Sequence, residues 1–432
     1  MSSYWKEYTI DEVCAEIVDC VNKTATLVEY ETPYKMIRTT NLKNGRIDLS
    51  SVRYVTEDVY KVWTRRSVPQ IGDVILTREA PIGEVGMIKT NDLIFLGQRL
   101  MQYRANQELL DPYFLLYALQ GPYLQHQIMS HEGSGSTVSH IRVPDAMKFK
   151  IKLPPLELQK KIGDILSSLD EKIELNLRMN ETLEQMAMVL YKNWFVEFSP
   201  FQDGEFVESE LGMIPKGWQV DKLGSMIKIK HGFAFKGKFF TDEGSYVLLT
   251  PGNFREQGGL KLKGDKEKFY NGDFPDDYLL KKGDLLVVMT DLSQSSPFLG
   301  SAAFITDDNV FLHNQRLGKI LNTEKDNLDT EFLYHLLNSY HVRENIRQSA
   351  SGTTVKHTSP DRFYSVLVVI PPKDIQEEFS STVLGFREQI QLNGKENKHL
   401  ENLRNYLLPR LLTGAIEVTV AEEQIEEALS SV

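Results

Sequence analysis

Two stretches of this chain place an apolar residue at every third or fourth position, or a multiple of that step, for more than thirty residues. The first runs Leu158, Ile162, Leu169, Ile173, Leu183, Met186 and Leu190, and the second Ile375, Phe379, Phe386, Ile390, Leu400, Leu403 and Leu407. Each member of the second stands 217 residues after its counterpart. That spacing is the signature of an amphipathic helix. It predicts long helices over 157–195 and 374–408, each roughly 50–60 Å at 1.5 Å per residue. Both stripes are interrupted by asparagine pairs, Asn176 with Asn180 and Asn393 with Asn397. Polar residues at matching seam positions predict a paired helix contact whose register they set; the alternative is that they sit in water at the edge of the stripe. Pro409 and Gly414 predict the end of the second helix, and 422–432 reads as an acidic, frayed tail.

The repeat extends beyond the helices. Gln98-Arg99-Leu100 recurs as Gln315-Arg316-Leu317, Ser134-Gly135-Ser136-Thr137 as Ser351-Gly352-Thr353-Thr354, and Pro154-Pro155 as Pro371-Pro372, all 217 apart. Gly72-Asp73 recurs as Gly283-Asp284 at 211, and Trp5 as Trp218 at 213. The second copy therefore gains six residues, assigned to the loop 292–297. Constant offsets in elements with small changes in loops are the mark of a duplicated domain. Within each copy, short apolar runs at 73–76, 93–96 and 285–289 predict strands, and 112–127 and 330–348 predict one helix each. Tyr113, Phe114, Tyr117 and Phe332 fall at helical spacing and read as core. The expected architecture is α+β: two α/β domains related by a pseudo-two-fold axis and held apart by an antiparallel pair of long helices. The expected divisions are 1–155, a helix at 156–198, a turn-rich linker at 199–217, 218–372, a second helix at 373–414, and a tail at 415–432.

Composition changes this picture little. The chain has 41% hydrophobic and 25% charged residues, as soluble globular proteins do. No apolar run reaches the roughly 18 residues of a membrane span, and the first residues lack the pattern of a secretion signal. Cys14 and Cys20 are the only cysteines, too few for a zinc site, and they read as cytosolic thiols. A cytoplasmic protein without a bound metal is expected. The net charge of −11 is unevenly spread: residues 1–155 are neutral, 156–211 carry −7, 212–372 carry +1 and 373–432 carry −5. A neutral domain can still present one basic face, so the acidic total does not exclude a nucleic-acid partner.

Catalytic motifs fail when tested. Gly232-Phe233-Ala234-Phe235-Lys236-Gly237-Lys238 follows a phosphate-binding loop for seven places, but Phe239 stands where a hydroxyl must hold magnesium. Neither Pro-Pro is followed by an aromatic residue, as an amino-methyltransferase would need; Leu156 and Lys373 follow instead. Pro-Asp pairs at Pro144-Asp145, Pro275-Asp276 and Pro360-Asp361 are ordinary turn dipeptides. No catalytic residue is expected.

Two dissimilar globular halves, each followed after Pro-Pro by a near-identical long helix, resemble the specificity subunit of type I DNA restriction–modification systems. The bridge from Glu208 to Trp218, the run Gly232 to Lys236, the Pro-Pro-Leu-Glu-Leu-Gln start of the first helix and Leu411-Leu412-Thr413-Gly414 carry the resemblance. It implies that each half is a target-recognition domain for one part of a bipartite, asymmetric DNA site, with the helices as the spacer between them. It also implies two methyltransferase subunits using S-adenosylmethionine and two restriction–translocase subunits using ATP and magnesium, with no cofactor on this chain. The competing classes are a stand-alone methyltransferase or nuclease, and a coiled-coil scaffold that never meets DNA.

Phosphate contacts favour Lys, Arg, hydroxyls and backbone N–H groups, and base reading favours Arg, Lys, Asn and Gln. The candidates are Lys61, Arg65, Arg66 and Arg78 in the first half, and Lys228, Lys230, His231, Lys236 and Lys238 in the second. Lys261, Lys263, Lys266 and Lys268 extend the second cluster. The hydroxyl-rich loops contribute Ser134, Ser136, Thr137, Ser351, Thr353 and Thr354, or else form turns leading to the Pro-Pro pairs. Gln98-Arg99 and Gln315-Arg316 are either DNA contacts or structural. Residues that distinguish two half-sites must lie where the copies differ.

Overall fold

Val74–Arg78 is buried at all five positions because it runs through the middle of a sheet rather than along a solvated face. The structure is a computed structural model that describes residues 5–131, 140–293 and 295–430. The chain contains both helices and sheets, in two repeated domains each followed by a long helix, and divides into two compact units. Unit 1 comprises residues 1–176 and 394–432, and unit 2 comprises 177–393.

In unit 1 a four-stranded antiparallel sheet has the order Cys14–Asp19, Leu100–Ala105, Val74–Arg78, Ile82–Met87. A smaller sheet pairs Tyr34–Ile37 with Leu93–Leu96 in parallel and with Arg53–Tyr54 antiparallel. The helix expected over 112–127 is two helices, Pro112–Gln120 and Pro122–Met129. Pro122 drives the residue before it out of the helical region, so Gly121 is extended at ψ 154°. Both copies of the long-helix start are anchored alike. In unit 1 the buried Gln159 accepts from Asp111 N (3.0 Å) and donates to the carbonyls of Leu109 (3.0 Å) and Pro154 (2.9 Å).

The first long helix is Leu156–Phe195 and the second Lys373–Leu411. In unit 1 they run antiparallel: Asp170 meets Arg404 (2.6 Å), Lys172 meets Glu396 (3.4 Å), and Asn176 Nδ2 donates to Asn397 Oδ1 (2.9 Å). Leu158 packs against the edge of the core, while Ile162, Leu169, Ile173, Leu400 and Leu407 lie within it. The second helix continues two residues past Pro409, whose missing N–H removes one backbone hydrogen bond from the last turn. The tail is not frayed over its length: Val418–Ser430 is helical, with Ala421 buried in the core of unit 1 and Val418 and Ile425 packed against it.

Unit 2 repeats the plan. Its main sheet has the order Ile227–His231, Leu317–Asn322, Leu285–Val288, Ala302–Phe304. A small sheet joins Phe240–Thr241, Phe269–Tyr270, Val247–Leu248 and Phe311–Leu312, the last pair parallel. The helix expected over 330–348 is again split, into Thr330–Asn338 and Tyr340–Gln348, at an extended Ser339. Gln376 repeats the anchor of Gln159, accepting from Asp329 N (2.9 Å) and donating to the carbonyls of Asn327 (3.0 Å) and Pro371 (2.8 Å). The long helices are antiparallel here too. Asn393 Nδ2 donates to Asn180 Oδ1 (2.8 Å), and Phe195 meets Phe379 with ring centres 5.0 Å apart. Leu183, Leu190, Ile375, Phe386 and Ile390 are half-buried. Met186 departs from the expected stripe: it is exposed, and the smaller Ala187 takes the buried place beside it.

Candidate nucleic-acid interface

In unit 2 the segment after Ile227–His231 folds back over the turn at Asn314. Phe233 N donates to His313 O (2.8 Å) and Gln315 N to Phe233 O (3.0 Å). A Cβ on Gly232 would lie 2.0 Å from the Asn314 carbonyl oxygen, so glycine is required there for packing. That contact, rather than phosphate binding, accounts for the glycine opening the loop-like motif. Between this segment, the 3₁₀ turn Pro251–Asn253, Asp291 and Arg316 lies a groove of about 680 Å³. Phe235, Phe240 and Phe298 give it apolar walls, and Lys263, Lys268 and Arg316 supply cations.

Lys263 is held at this groove by neutral acceptors. Its Nζ donates to Thr250 Oγ1 (2.8 Å) and Asn253 Oδ1 (2.9 Å), while Asn253 Nδ2 donates to Glu267 Oε2 (2.9 Å). Burial pulls the Lys263 ammonium below the usual lysine range, against the attraction of Glu267 and with the repulsion of Lys268. Arg316 is half-buried, and its guanidinium has no ion pair or hydrogen bond among the described residues. The loop 292–297 borders the groove at Leu292 and Ser293. Arg343 fastens its far end, donating from Nε to Leu299 O (2.9 Å) and from Nη2 to Pro297 O (2.7 Å). Burial lowers the Arg343 guanidinium to about 10. Gln294, within that loop, lies outside the described residues.

Unit 1 carries the same backbone with other side chains. Arg38 N donates to Asn41 Oδ1 (2.9 Å) as Thr250 N does to Asn253 Oδ1 (3.0 Å), and both asparagines are buried. Arg78 N donates to Arg99 O (2.8 Å) as Met289 N does to Arg316 O (2.8 Å). The cations differ. Ser51 accepts from Asn41 Nδ2 (3.0 Å) as Glu267 does from Asn253 Nδ2 (2.9 Å). Ser50 stands in the place of Lys263, because Asp48 N donates to Asn41 O as Lys261 N does to Asn253 O, and Arg38 occupies the place of Thr250. Arg38 Nη2 donates to Ser51 O (2.9 Å), and its buried Nε has no partner among the described residues. Arg99 is paired with Glu79 (2.9 Å), whereas Thr290, the counterpart of Glu79, leaves Arg316 without a carboxylate.

The sequence candidates meet different fates. Lys61 lies on Glu57–Trp63 and pairs with Glu57 (2.7 Å); Arg65 is exposed; Arg66 is exposed and paired with Asp19. Arg78 is a correction: it is only 7% exposed, and Nη1 donates to Ile141 O (3.1 Å), because it ends the central strand and turns into the fold. Lys228 is exposed 5.9 Å from the Tyr364 ring, and Lys230 is half-buried over Tyr278 with Asp277 3.4 Å away. His231, Lys236 and Lys238 are exposed, the last over Phe239. Lys261, Lys266 and Lys268 are exposed, whereas Lys263 turns inward. Ser351, Thr353 and Thr354 are exposed on a hairpin turn that Ser351 and His357 close, with Gly352 at φ 99° where only glycine is unstrained. Ser134, Ser136 and Thr137 lie outside the described residues. Tyr117, Phe114 and Phe332 are in the cores, and Tyr113 is half-buried.

Sequence reading missed the paired turns at Asn41 and Asn253 and the cation Arg38. A signal existed: Asn41 and Asn253 are 212 apart, between the 213 of the tryptophans and the 211 of Gly-Asp. Among the described residues no three His, Cys, Asp or Glu side chains cluster as metal ligands, and no helix is long and apolar enough to cross a membrane.

A family model described as the type I restriction modification DNA specificity domain matches the chain twice, over residues 2–185 and 215–402. The chain is 28% identical over 368 residues to the type I restriction enzyme MjaIX specificity subunit of Methanocaldococcus jannaschii, covering 85% of this chain and 82% of that protein. It is 24% identical over 472 residues to the type I restriction enzyme HindI specificity subunit of Haemophilus influenzae, covering 96% and 100%. Among solved structures it is similar to the S subunit of a type I restriction–modification system from M. genitalium. That match has a TM-score of 0.55 at 15% identity, covers 95% and 97% of the two chains, and is a likeness of fold.

Proposed function

Since this chain belongs to the family of type I restriction modification DNA specificity domains, we propose that it is the subunit that gives such an enzyme its DNA sequence. Residues 1–155 and 218–372 are the two target-recognition domains, each reading one half of an asymmetric bipartite site. The helices at 156–198 and 373–414 set the number of unread base pairs, with 199–217 as the linker and 415–432 as the tail. A helix of 40 residues is about 60 Å long, longer than the roughly 34 Å of one turn of B-DNA, which supports a displaced pair of half-sites. The chain is a non-catalytic recognition component acting in the cytoplasm. Two methyltransferase subunits with S-adenosylmethionine and two restriction–translocase subunits with ATP and magnesium supply the chemistry.

The observation that carries this reading is a repeated asparagine-anchored turn with unlike cations around it: Arg38 with Ser50 in one unit, Thr250 with Lys263 in the other. A scaffold has no use for that difference, whereas a reader of two different half-sites requires it. The test is the methylome of the host with the gene present and deleted. One asymmetric two-part motif should lose its methylation on deletion. Methyl transfer to DNA by the purified chain alone, or an unchanged methylome, would overturn the proposal.

A further inference from the structure

We propose that Lys263 is a specificity-determining residue for the half-site read by unit 2, donating to an acceptor on a base edge from the groove it shares with Arg316. The inference rests on the reading of unit 2 as a target-recognition domain and adds the residue that reads. Two of the three ammonium hydrogens are used on Thr250 and Asn253, both neutral, so the charge is positioned without being neutralised by those partners. A lysine fixed in this way has lost most of the rotamer freedom that makes a surface lysine a poor discriminator. The groove around it has aromatic walls, which lower the local dielectric and strengthen a remaining hydrogen bond. The ammonium, held below the usual lysine range by burial, gains most from an electron-rich acceptor.

The comparison of the two copies separates this residue from its neighbours. Gln315 and Arg316 recur as Gln98 and Arg99 and cannot alone tell one half-site from the other. Lys263 does not recur: its place is Ser50, two residues past Asp48, whose N donates to Asn41 O (2.8 Å) as Lys261 N does to Asn253 O (2.7 Å). It is therefore a position where the copies differ in charge beside an asparagine anchor that both share. An amine donor suits the O6 and N7 acceptors that guanine shows in the major groove, and guanine is the base assigned to it.

The experiment is selection of duplexes with randomised half-sites by the full chain assembled with its methyltransferase subunits, followed by sequencing. Wild type is compared with Lys263→Met, Lys263→Gln and the control Lys282→Ala, an exposed lysine of unit 2 outside the groove. The expected result is a loss of roughly tenfold in preference for guanine at one position of one half-site, with the other half-site unchanged and Lys282→Ala like wild type. Thermal unfolding checks each variant, and Lys263→Gln, which keeps a donor for Thr250, stands in if Lys263→Met does not fold. Equal weakening for all sequences would make Lys263 a phosphate contact or a loop pin and overturn the inference. No change in the base profile would overturn it as well. A wild-type complex that selects no two-part sequence overturns the functional reading first and this assignment with it, so the two failures are distinguishable.

Discussion

His313 shows how one side chain sets a pH response. It is buried beneath the groove of unit 2, Nε2 lies 3.0 Å from the Leu317 carbonyl oxygen, and Nδ1 has no partner among the described residues. Burial lowers it to about 4, against the hydrogen bond to Leu317. Because the folded value is depressed, the stability it protects is present above about pH 6.5 and lost as pH falls towards 4. The loss attributable to this residue is about 3 kcal/mol. Urea melts between pH 7 and pH 4 should show that fall, and His313→Leu should flatten it; Leu96 occupies the equivalent place in unit 1. The anchors Gln159 and Gln376 are buried and each satisfies three backbone groups, one of them in a fully buried bond. Gln159→Ala or Gln376→Ala should therefore cost about 1–3 kcal/mol in a denaturant titration, with the neighbouring Glu157→Ala near zero. A glutamine four residues past Pro-Pro is visible in the sequence, but its partners at Asp111 and Asp329 are nearly fifty residues away and carry no pattern that links them to it.

At the level of elements, the asparagine pairs show what the seam requires. Asn180 and Asn393 are both buried and hydrogen-bonded to each other in unit 2, and Asn176 and Asn397 likewise in unit 1. Asn180→Leu leaves Asn393 buried without that partner and should cost about 1–3 kcal/mol, while the double change to leucine should recover most of it. A double-mutant cycle measures this, and additive losses would argue against the pairing. The long helices were legible because a 3.6-residue period survives over forty positions. The splits at Gly121 and Ser339 were harder to read, since both flanking segments are apolar and the break rests on one extended residue. The tail helix was missed because its composition is acidic. Its fold depends on Val418, Ala421 and Ile425 finding an apolar surface that no local pattern announces.

At the level of the whole chain, both termini belong to unit 1. Leu400, Leu407, Leu411 and Ala421, from the end of the second copy, are buried in the same core as Ile10 and Val13. Ending the chain at Asn393 removes three buried leucines worth about 1.5–3 kcal/mol each, a sum comparable with the 5–15 kcal/mol stability of a whole domain. Hydrogen exchange should then rise across 5–131 while 177–393 keeps its protection. DNA binding belongs to this scale as well. If two recognition domains together make at least six phosphate contacts, affinity should fall about a thousandfold between 50 and 200 mM salt. Fluorescence anisotropy at graded salt checks this, and a flat response would argue against phosphate contact.

By itself the sequence determined that the chain is duplicated, that each copy ends in a long amphipathic helix, and that polar pairs interrupt both stripes. Those are periodic or repeated features, and periodicity is set by backbone geometry that every sequence must obey. Only the tertiary structure decided which cations face a groove and which are spent inside the fold. Arg78 and Lys263 look alike as basic residues in neutral domains, yet one is enclosed against Ile141 and the other is held at an open groove by Thr250 and Asn253. The difference comes from contacts between residues far apart in the chain, and charge in a sequence has no direction until those contacts form.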